Sequence, residues 1–357
     1  MDFHFPMLDY RPLGRTGITV SSIALGTMTF GEQNTEAEGH AQLDIARDRG
    51  INLIDAAELY PIPPKAETQG ATERIIGSWL NARGGRDKVV IATKVVGRSD
   101  ATYFRADGST TRLDAKNINE AIEGSLKRLG TDYIDLYQLH WPDRAVPLFG
   151  QRATTRARGG GDGPEVAVEE TLAALDALVK AGKVRHIGLS NETAWGLSAF
   201  LAAAEKGIGP RVASVQNAYN LVNRTYETGL AEFHQREDVG LLAYSPLAQG
   251  FLTGKYLDGA LPAGARKTLF NRTQRYEKPG TEEAVRAYVA LARELGLTPA
   301  QLALAFVTSR PFVTSNIIGA TTLAQLEEDL GALDVTLTPE IEDRIDALHQ
   351  LHGNPAP

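Results

Sequence analysis

The 357 residues suffice for one large domain or two ordinary ones, and 43% hydrophobic with 23% charged residues is the balance of a soluble globular protein. Acidic residues outnumber basic ones, 44 to 37, for a net charge of −7, which argues against nucleic acid or an anionic membrane surface as partner. The absence of cysteine excludes disulfides, thiolate metal sites and a cysteine nucleophile; with no membrane-length apolar run and no signal-like start in "MDFHFPMLDYRPLGRTG", the expectation is a cytoplasmic protein.

From the N-terminus, "LDYRPL" and "ITVSSI" flank "GRTG" and predict a hairpin ahead of the first main strand, placed to plug the bottom of a barrel. Eight strand candidates follow: "IALGTM" (23–28), "NLIDA" (52–56), "VVIATKV" (89–95), "IDLYQLH" (134–140), "VRHIGLS" (184–190), "ASVQN" (213–217), "LLAYS" (241–245) and "NIIGA" (316–320). Amphipathic stretches separate them. In "NINEAIEGSLKRLG", Ile118, Ile122, Leu126 and Leu129 recur at helical spacing, with Asn117 placed to cap and Glu120 three residues on. "TLAALDALVKAG" repeats the pattern through Leu172, Leu175 and Leu178 and closes on Gly182. Thr298-Pro299-Ala300-Gln301 and Thr322-Leu323-Ala324-Gln325 read as capping boxes.

Strands alternating with helices in this way predict an α/β fold, a (β/α)8 barrel spanning residues 1–357 as a single domain. A doubly wound dinucleotide fold would want G-x-G-x-x-G after its first strand, and the chain has none. The glycine cluster 159–163 follows no strand and reads as flexible loop. Three long connections, 97–116, 141–166 and 246–280, follow the third, fourth and seventh strands. All three fall on the C-terminal face, where barrel enzymes build their sites.

"INLIDAAELYP" then poses a problem of its own. Asp55 ends a strand buried on both faces, and an unpaired carboxylate there is costly, so a cation is owed nearby. In a barrel the next strand supplies it as Lys94, and the strand after that ends at His140. A Lys94–Asp55 pair beside Tyr60 would lower the phenol's pKa and ready it to give a proton to a developing alkoxide. His140 would hydrogen-bond the same oxygen. Together these groups describe carbonyl reduction. Taken singly, Asp55 and Lys94 read as a structural ion pair, Tyr60 as packing and His140 as a satisfied core histidine. His349 and His352 lack the further ligands of a metal site, and none is expected. "GFLTGKY" (250–256) departs from a phosphate-binding P-loop in spacing and in Tyr256.

Asp55, Tyr60, Lys94 and His140 resemble the Asp-Tyr-Lys-His tetrad of the aldo-keto reductase superfamily. "ALGTMTFGEQ", "HIGLSNE", "VQNAYN", "LLAYSPLAQGFLTGKY" and "IIGATTLAQLEEDL" carry the resemblance over essentially the whole chain. "YPIPPKAETQGATERIIGSWL" and "NAYNLVNRTYETGLAE" look most like the bacterial Tas-type reductases, near the potassium-channel β-subunit-like branch. The resemblance implies NADPH as cofactor and a small-molecule carbonyl compound as substrate. It places Ser190, Asn191 and Gln216 on the nicotinamide carboxamide and stacks Tyr244 on the ring, with Thr27, Met28 and Asp55 lining the same region. Ser245, Pro246, Leu247, Gln249 and Lys255 would follow the pyrophosphate, and Arg266 would read the 2′-phosphate. Gly319, Ala320 and Thr321 would lead into a helix N-terminus suited to phosphate, with Gln325, Glu328 and Asp329 toward the adenosine. Asp329 stands where the family usually has Asn.

Two rival functions share the fold. Lys94 at a strand end would serve a Schiff-base lyase, though Asp55 would keep it charged. A regulatory scaffold of the channel-β type would hold nucleotide with little turnover, and the complete tetrad argues against it.

Overall fold

The computed structural model describes residues 8–150 and 163–357; most of the expected glycine loop at 159–163 lies outside them. Strands β1 (Tyr10–Pro12) and β2 (Thr19–Ser21) pair antiparallel as the hairpin. Eight parallel strands then close a barrel: β3 (Ile23–Gly26), β4 (Leu53–Asp55), β5 (Val90–Val95), β6 (Ile134–Leu139), β7 (Val184–Ser190), β8 (Val212–Ala218), β9 (Gly240–Tyr244) and β10 (Val313–Ile318). They neighbour one another in chain order, with β10 returning to β3. All eight sequence-expected strands are present, each within a few residues of its predicted limits.

Around the barrel run α1 (Glu36–Asp48), α2 (Ala71–Arg83), α3 (Ala115–Leu129), α4 (Val168–Lys180) and α5 (Ala194–Glu205). Two short helices follow β8, α6 (Tyr226–Gly229) and α7 (Glu232–Glu237), and α8 (Arg266–Phe270) lies in the connection after β9. The remainder are α9 (Thr281–Glu294), α10 (Pro299–Thr308), α11 (Leu323–Leu330) and α12 (Pro339–His352). No helix among the described residues is long and apolar enough to cross a membrane.

Helix caps test the local reading. Thr298 and Gln301 form the reciprocal capping box expected for α10. At α3 the expectation was one turn late: the cap is Asp114, whose carboxylate accepts from the Asn117 N–H. Asn117 is instead a helical residue whose amide oxygen accepts from Arg105. At α11 Thr322 accepts from the Gln325 N–H, but Gln325 bonds back to Thr321 rather than to the cap residue, so the box is only half formed.

The barrel interior is apolar below and polar above. Leu13 from the hairpin turn and Val20 pack with Ala24, Leu53, Val90, Leu136 and Ala213, which closes the floor as expected. Gly14 allows this, because a side chain there would press within 2.6 Å of the Ala213 carbonyl. Side chains alternate along a strand, so Leu53 shares a face with Asp55, Val90 with Lys94, and Leu136 with Gln138 and His140. One alternation therefore carries each of these three strands from the hydrophobic floor to a polar mouth.

Candidate active site

Four elements meet at the mouth. Asp55 is the last residue of β4, and Tyr60 follows in the turn where its N–H bonds to the Ala57 carbonyl and its carbonyl accepts from Gly70. Lys94 lies on β5, and His140 comes directly after β6. Barrel stagger pairs Asp55 with Ala92 in register and Lys94 with Gln138. Lys94 thus projects one inward step above Asp55 and can reach over it.

The Lys94 ammonium is fully buried and spends its donors within the site. It lies 2.7 Å from Asp55 Oδ2, 2.9 Å from the Ala56 carbonyl and 3.2 Å from the Tyr60 hydroxyl. Burial works against its charge, but Asp55 and Tyr60 outweigh that and hold its pKa above the ordinary lysine value. The Tyr60 phenol corrects the sequence expectation. Burial raises its pKa more than Lys94 lowers it, so the phenol stays protonated at neutral pH. His140 meets the Tyr60 ring edge-on with centroids 5.6 Å apart, and its Nδ1 is buried without a partner among the described residues. Burial, aided by Lys94, holds its pKa well below 6.5, so the imidazole is neutral at pH 7.

A second shelf supports these groups and was not foreseen. Gln216 on β8 donates to Asp55 Oδ1 at 2.8 Å and to Gln138 Oε1 at 3.2 Å. Gly188 on the intervening β7 makes room, since a side chain there would meet Gln138 at 3.1 Å. The signal was present in sequence: Gln138 stands two residues before His140, on the same strand face. Glu58 is buried two residues before Tyr60 and accepts from the two terminal Arg105 nitrogens at 3.0 and 3.1 Å and from the Val96 N–H at 2.7 Å. This ties the connection after β5 to the tyrosine turn. Asp143 binds Arg98 and the Leu113 and Val166 N–H groups, joining that connection to the one after β6. Trp141 and Phe149 extend the aromatic wall from His140.

The residues expected at the nicotinamide end cluster beside the tetrad. Thr27 bonds to the Asp55 carbonyl through its hydroxyl, and the Met28 carbonyl accepts from Ile62. Ser190 donates to the Gln216 carbonyl, and Asn191 donates to the His140 carbonyl at 2.9 Å. Tyr244, ending β9, donates to Asn191 Oδ1 at 2.6 Å. Ser245 and Gln249 hold left-handed backbone conformations in the turn that also contains Pro246 and Leu247. Gly319 is open, with nothing within 4 Å of where a side chain would begin. Ala320 and Thr321 offer their carbonyls to Gln42 and Asn34. Gln325 is engaged with Thr321, Glu328 is exposed and Asp329 is buried.

The charges fit a polyanionic dinucleotide. Lys255 and Arg266 have no carboxylate within ion-pair distance among the described residues, whereas Lys267 is already paired with Glu277 at 3.0 Å. Unpaired, partly buried cations are unfavourable until an anion arrives. Burial depresses Lys255, and burial together with Arg272 depresses Arg266. Asp329 is pushed up to about 7 by burial and by Glu328, with Lys255 opposing.

Comparisons with known proteins agree with this architecture. Residues 22–350 match the aldo/keto reductase family. The chain is 51% identical to Protein tas of Escherichia coli K12 over 352 residues, covering 98% of this chain and 100% of that protein. It is 36% identical to the uncharacterized oxidoreductase YrpG of Bacillus subtilis, covering 94% of each. A probable voltage-gated potassium channel subunit beta from rice is 34% identical over 96% of this chain and 97% of its own length. With the closed barrel and a family match over most of its length, the chain belongs to the aldo/keto reductase family, an oxidoreductase family.

Proposed function

We propose that the protein reduces an aldehyde or ketone to an alcohol using NADPH, with Tyr60 as proton donor. The observation that carries this reading is the Lys94 ammonium, fully buried and in contact with both Asp55 at 2.7 Å and the Tyr60 hydroxyl at 3.2 Å. NADPH, when bound, would supply the hydride. A protonated phenol is the state a general acid needs at the start. As its proton passes to the carbonyl oxygen, negative charge develops on Tyr60 beside a fixed cation, and a desolvated site makes that attraction count for more than in water. Asp55 keeps Lys94 charged throughout. Neutral His140 offers a hydrogen bond to the same carbonyl oxygen without adding a charge that would compete with Lys94. Ser190, Asn191 and Gln216 would hold the carboxamide, Tyr244 the ring face, and Lys255 and Arg266 the phosphates. Lys94 carries its proton, so it offers no free amine for a Schiff base.

Similarity to channel β subunits supports a second reading, a nucleotide-binding scaffold with little turnover. NADPH oxidation against a panel of aldehydes, ketones and quinones tests both. Turnover that disappears in Tyr60→Phe supports the reductase. Tight NADPH binding with no turnover on any of them favours the scaffold.

A further inference from the structure

We infer that Arg275 is a positioning residue of the nicotinamide end of the site, acting through Tyr244 on Asn191; this rests on the reductase reading for the identity of the ligand. Arg275 lies in the connection after β9, 31 residues from Tyr244, and its guanidinium donates to the Tyr244 hydroxyl at 2.7 Å. With its lone pair so occupied, that hydroxyl turns its own proton to Asn191 Oδ1 at 2.6 Å. The Asn191 amide nitrogen is thereby aimed at the His140 carbonyl (2.9 Å) and the Ser190 hydroxyl (3.2 Å). Asn191 itself sits at φ 53°, in the left-handed region that asparagine adopts more readily than most residues; its side-chain amide is held by these bonds.

No other polar contact among the described residues accounts for the arginine. Among the described residues no carboxylate pairs with it and its Nε is buried without a partner, and the Tyr244 and Tyr276 ring centroids lie 5.5 and 5.8 Å from it. Gly150, at φ 77°, makes way for it, because a side chain there would come within 2.6 Å of the Arg275 stem. A half-buried guanidinium committed to one phenol fixes that ring, and the ring fixes the amide beside His140.

The test is a double-mutant cycle on NADPH dissociation constants. Arg275→Met keeps the stem and loses the donor, and it should weaken NADPH about tenfold, as loss of a charge-assisted hydrogen bond does. Tyr244→Phe should lose a similar factor, and the double variant should bind no worse than about twofold below Tyr244→Phe alone. Arg275→Lys should restore part of the loss. Independent, multiplying losses would mean that Arg275 meets the nucleotide directly and would overturn the relay, as would parent-like binding by Arg275→Met. In nucleotide-free protein the Asn191 side-chain amide resonances should move alike in Arg275→Met and Tyr244→Phe. If the parent binds no nicotinamide nucleotide, the reductase reading fails on its own, and unchanged amide resonances in either variant would still refute the relay.

Discussion

Gln216 and Asp55 stand 161 residues apart in the chain and meet at 2.8 Å across the barrel mouth. Their contact settles the accounting of the Asp55 carboxylate, whose other oxygen takes Lys94. With one oxygen bound from β5 and the other from β8, the carboxylate is held on both sides and its rotation is blocked. Gln138 holds the Gln216 amide so that a donor, not the carbonyl, faces Asp55. The ammonium that touches Tyr60 is therefore positioned by three strands rather than by one neighbour.

Tyr60→Phe should abolish carbonyl reduction while sparing nucleotide affinity. General acid catalysis contributes roughly 10²–10⁴-fold, so kcat should fall at least a hundredfold with the NADPH dissociation constant unchanged. Steady-state kinetics with fluorescence titration checks it. A loss below tenfold would remove Tyr60 from the role.

Lys94→Met should cost stability as well as activity. It leaves Asp55, nearly inaccessible to solvent, without its counter-ion, and breaking one side of a buried pair costs about 3–5 kcal/mol. The double variant Asp55→Asn with Lys94→Met should recover most of that stability and none of the turnover. Urea unfolding of the three proteins reads this directly; equal stability of Lys94→Met and the parent would contradict a buried pair.

The barrel and the tetrad were legible in sequence for a physical reason. Inward-facing strand positions alternate, so Asp55, Lys94 and His140 announce themselves as polar residues on apolar strands. Bonds that span the barrel were not legible. Gln216 meeting Asp55 depends on strand stagger and on the gap left at Gly188, neither of which local patterning specifies. The α3 cap was misread because two suitable residues, Asp114 and Asn117, lie three apart, and only the folded chain shows that Arg105 claims the second. The sign of the Tyr60 shift was misjudged because sequence shows the neighbouring charge but not the depth of burial, which is the larger effect.

Asp329→Asn should alter the pH dependence of stability. Burial and Glu328 push the folded carboxyl up to about 7 from the ordinary value near 3.8, so between those values the folded state holds more protons than the unfolded chain. Stability therefore falls as pH rises through that window. Asparagine carries no such penalty. Relative to the parent, the variant should gain about 1–2 kcal/mol on going from about pH 5 to about pH 8, a discounted fraction of the shift. Urea midpoints at the two pH values decide it, and a parallel pH course in both proteins would show that Asp329 does not titrate there.

Arg266→Ala should separate the two nicotinamide cofactors. NADPH and NADH differ by one phosphate on the adenosine ribose, so discrimination needs a cation at that group and not merely a basic site. Arg266 opens α8 and has no carboxylate partner among the described residues, while its neighbour Lys267 is committed to Glu277. A guanidinium presents a planar fork that engages two phosphate oxygens at once, which suits it to this task better than an ammonium. Its surroundings sharpen the alternative. Burial and Arg272 disfavour the Arg266 charge, and Tyr60 is among the side chains near enough to act on it, so the pyrophosphate, nearer the nicotinamide, competes as its anion. The two phosphates give different results. Loss of a 2′-phosphate contact should weaken NADPH roughly ten- to a hundredfold and leave NADH nearly unchanged, since a hydrogen bond to a charged group contributes about 1.5–3 kcal/mol. Loss of a pyrophosphate contact would weaken both by the same factor. Dissociation constants for both nucleotides with parent and variant distinguish them, and equal losses would transfer Arg266 from cofactor choice to general phosphate binding.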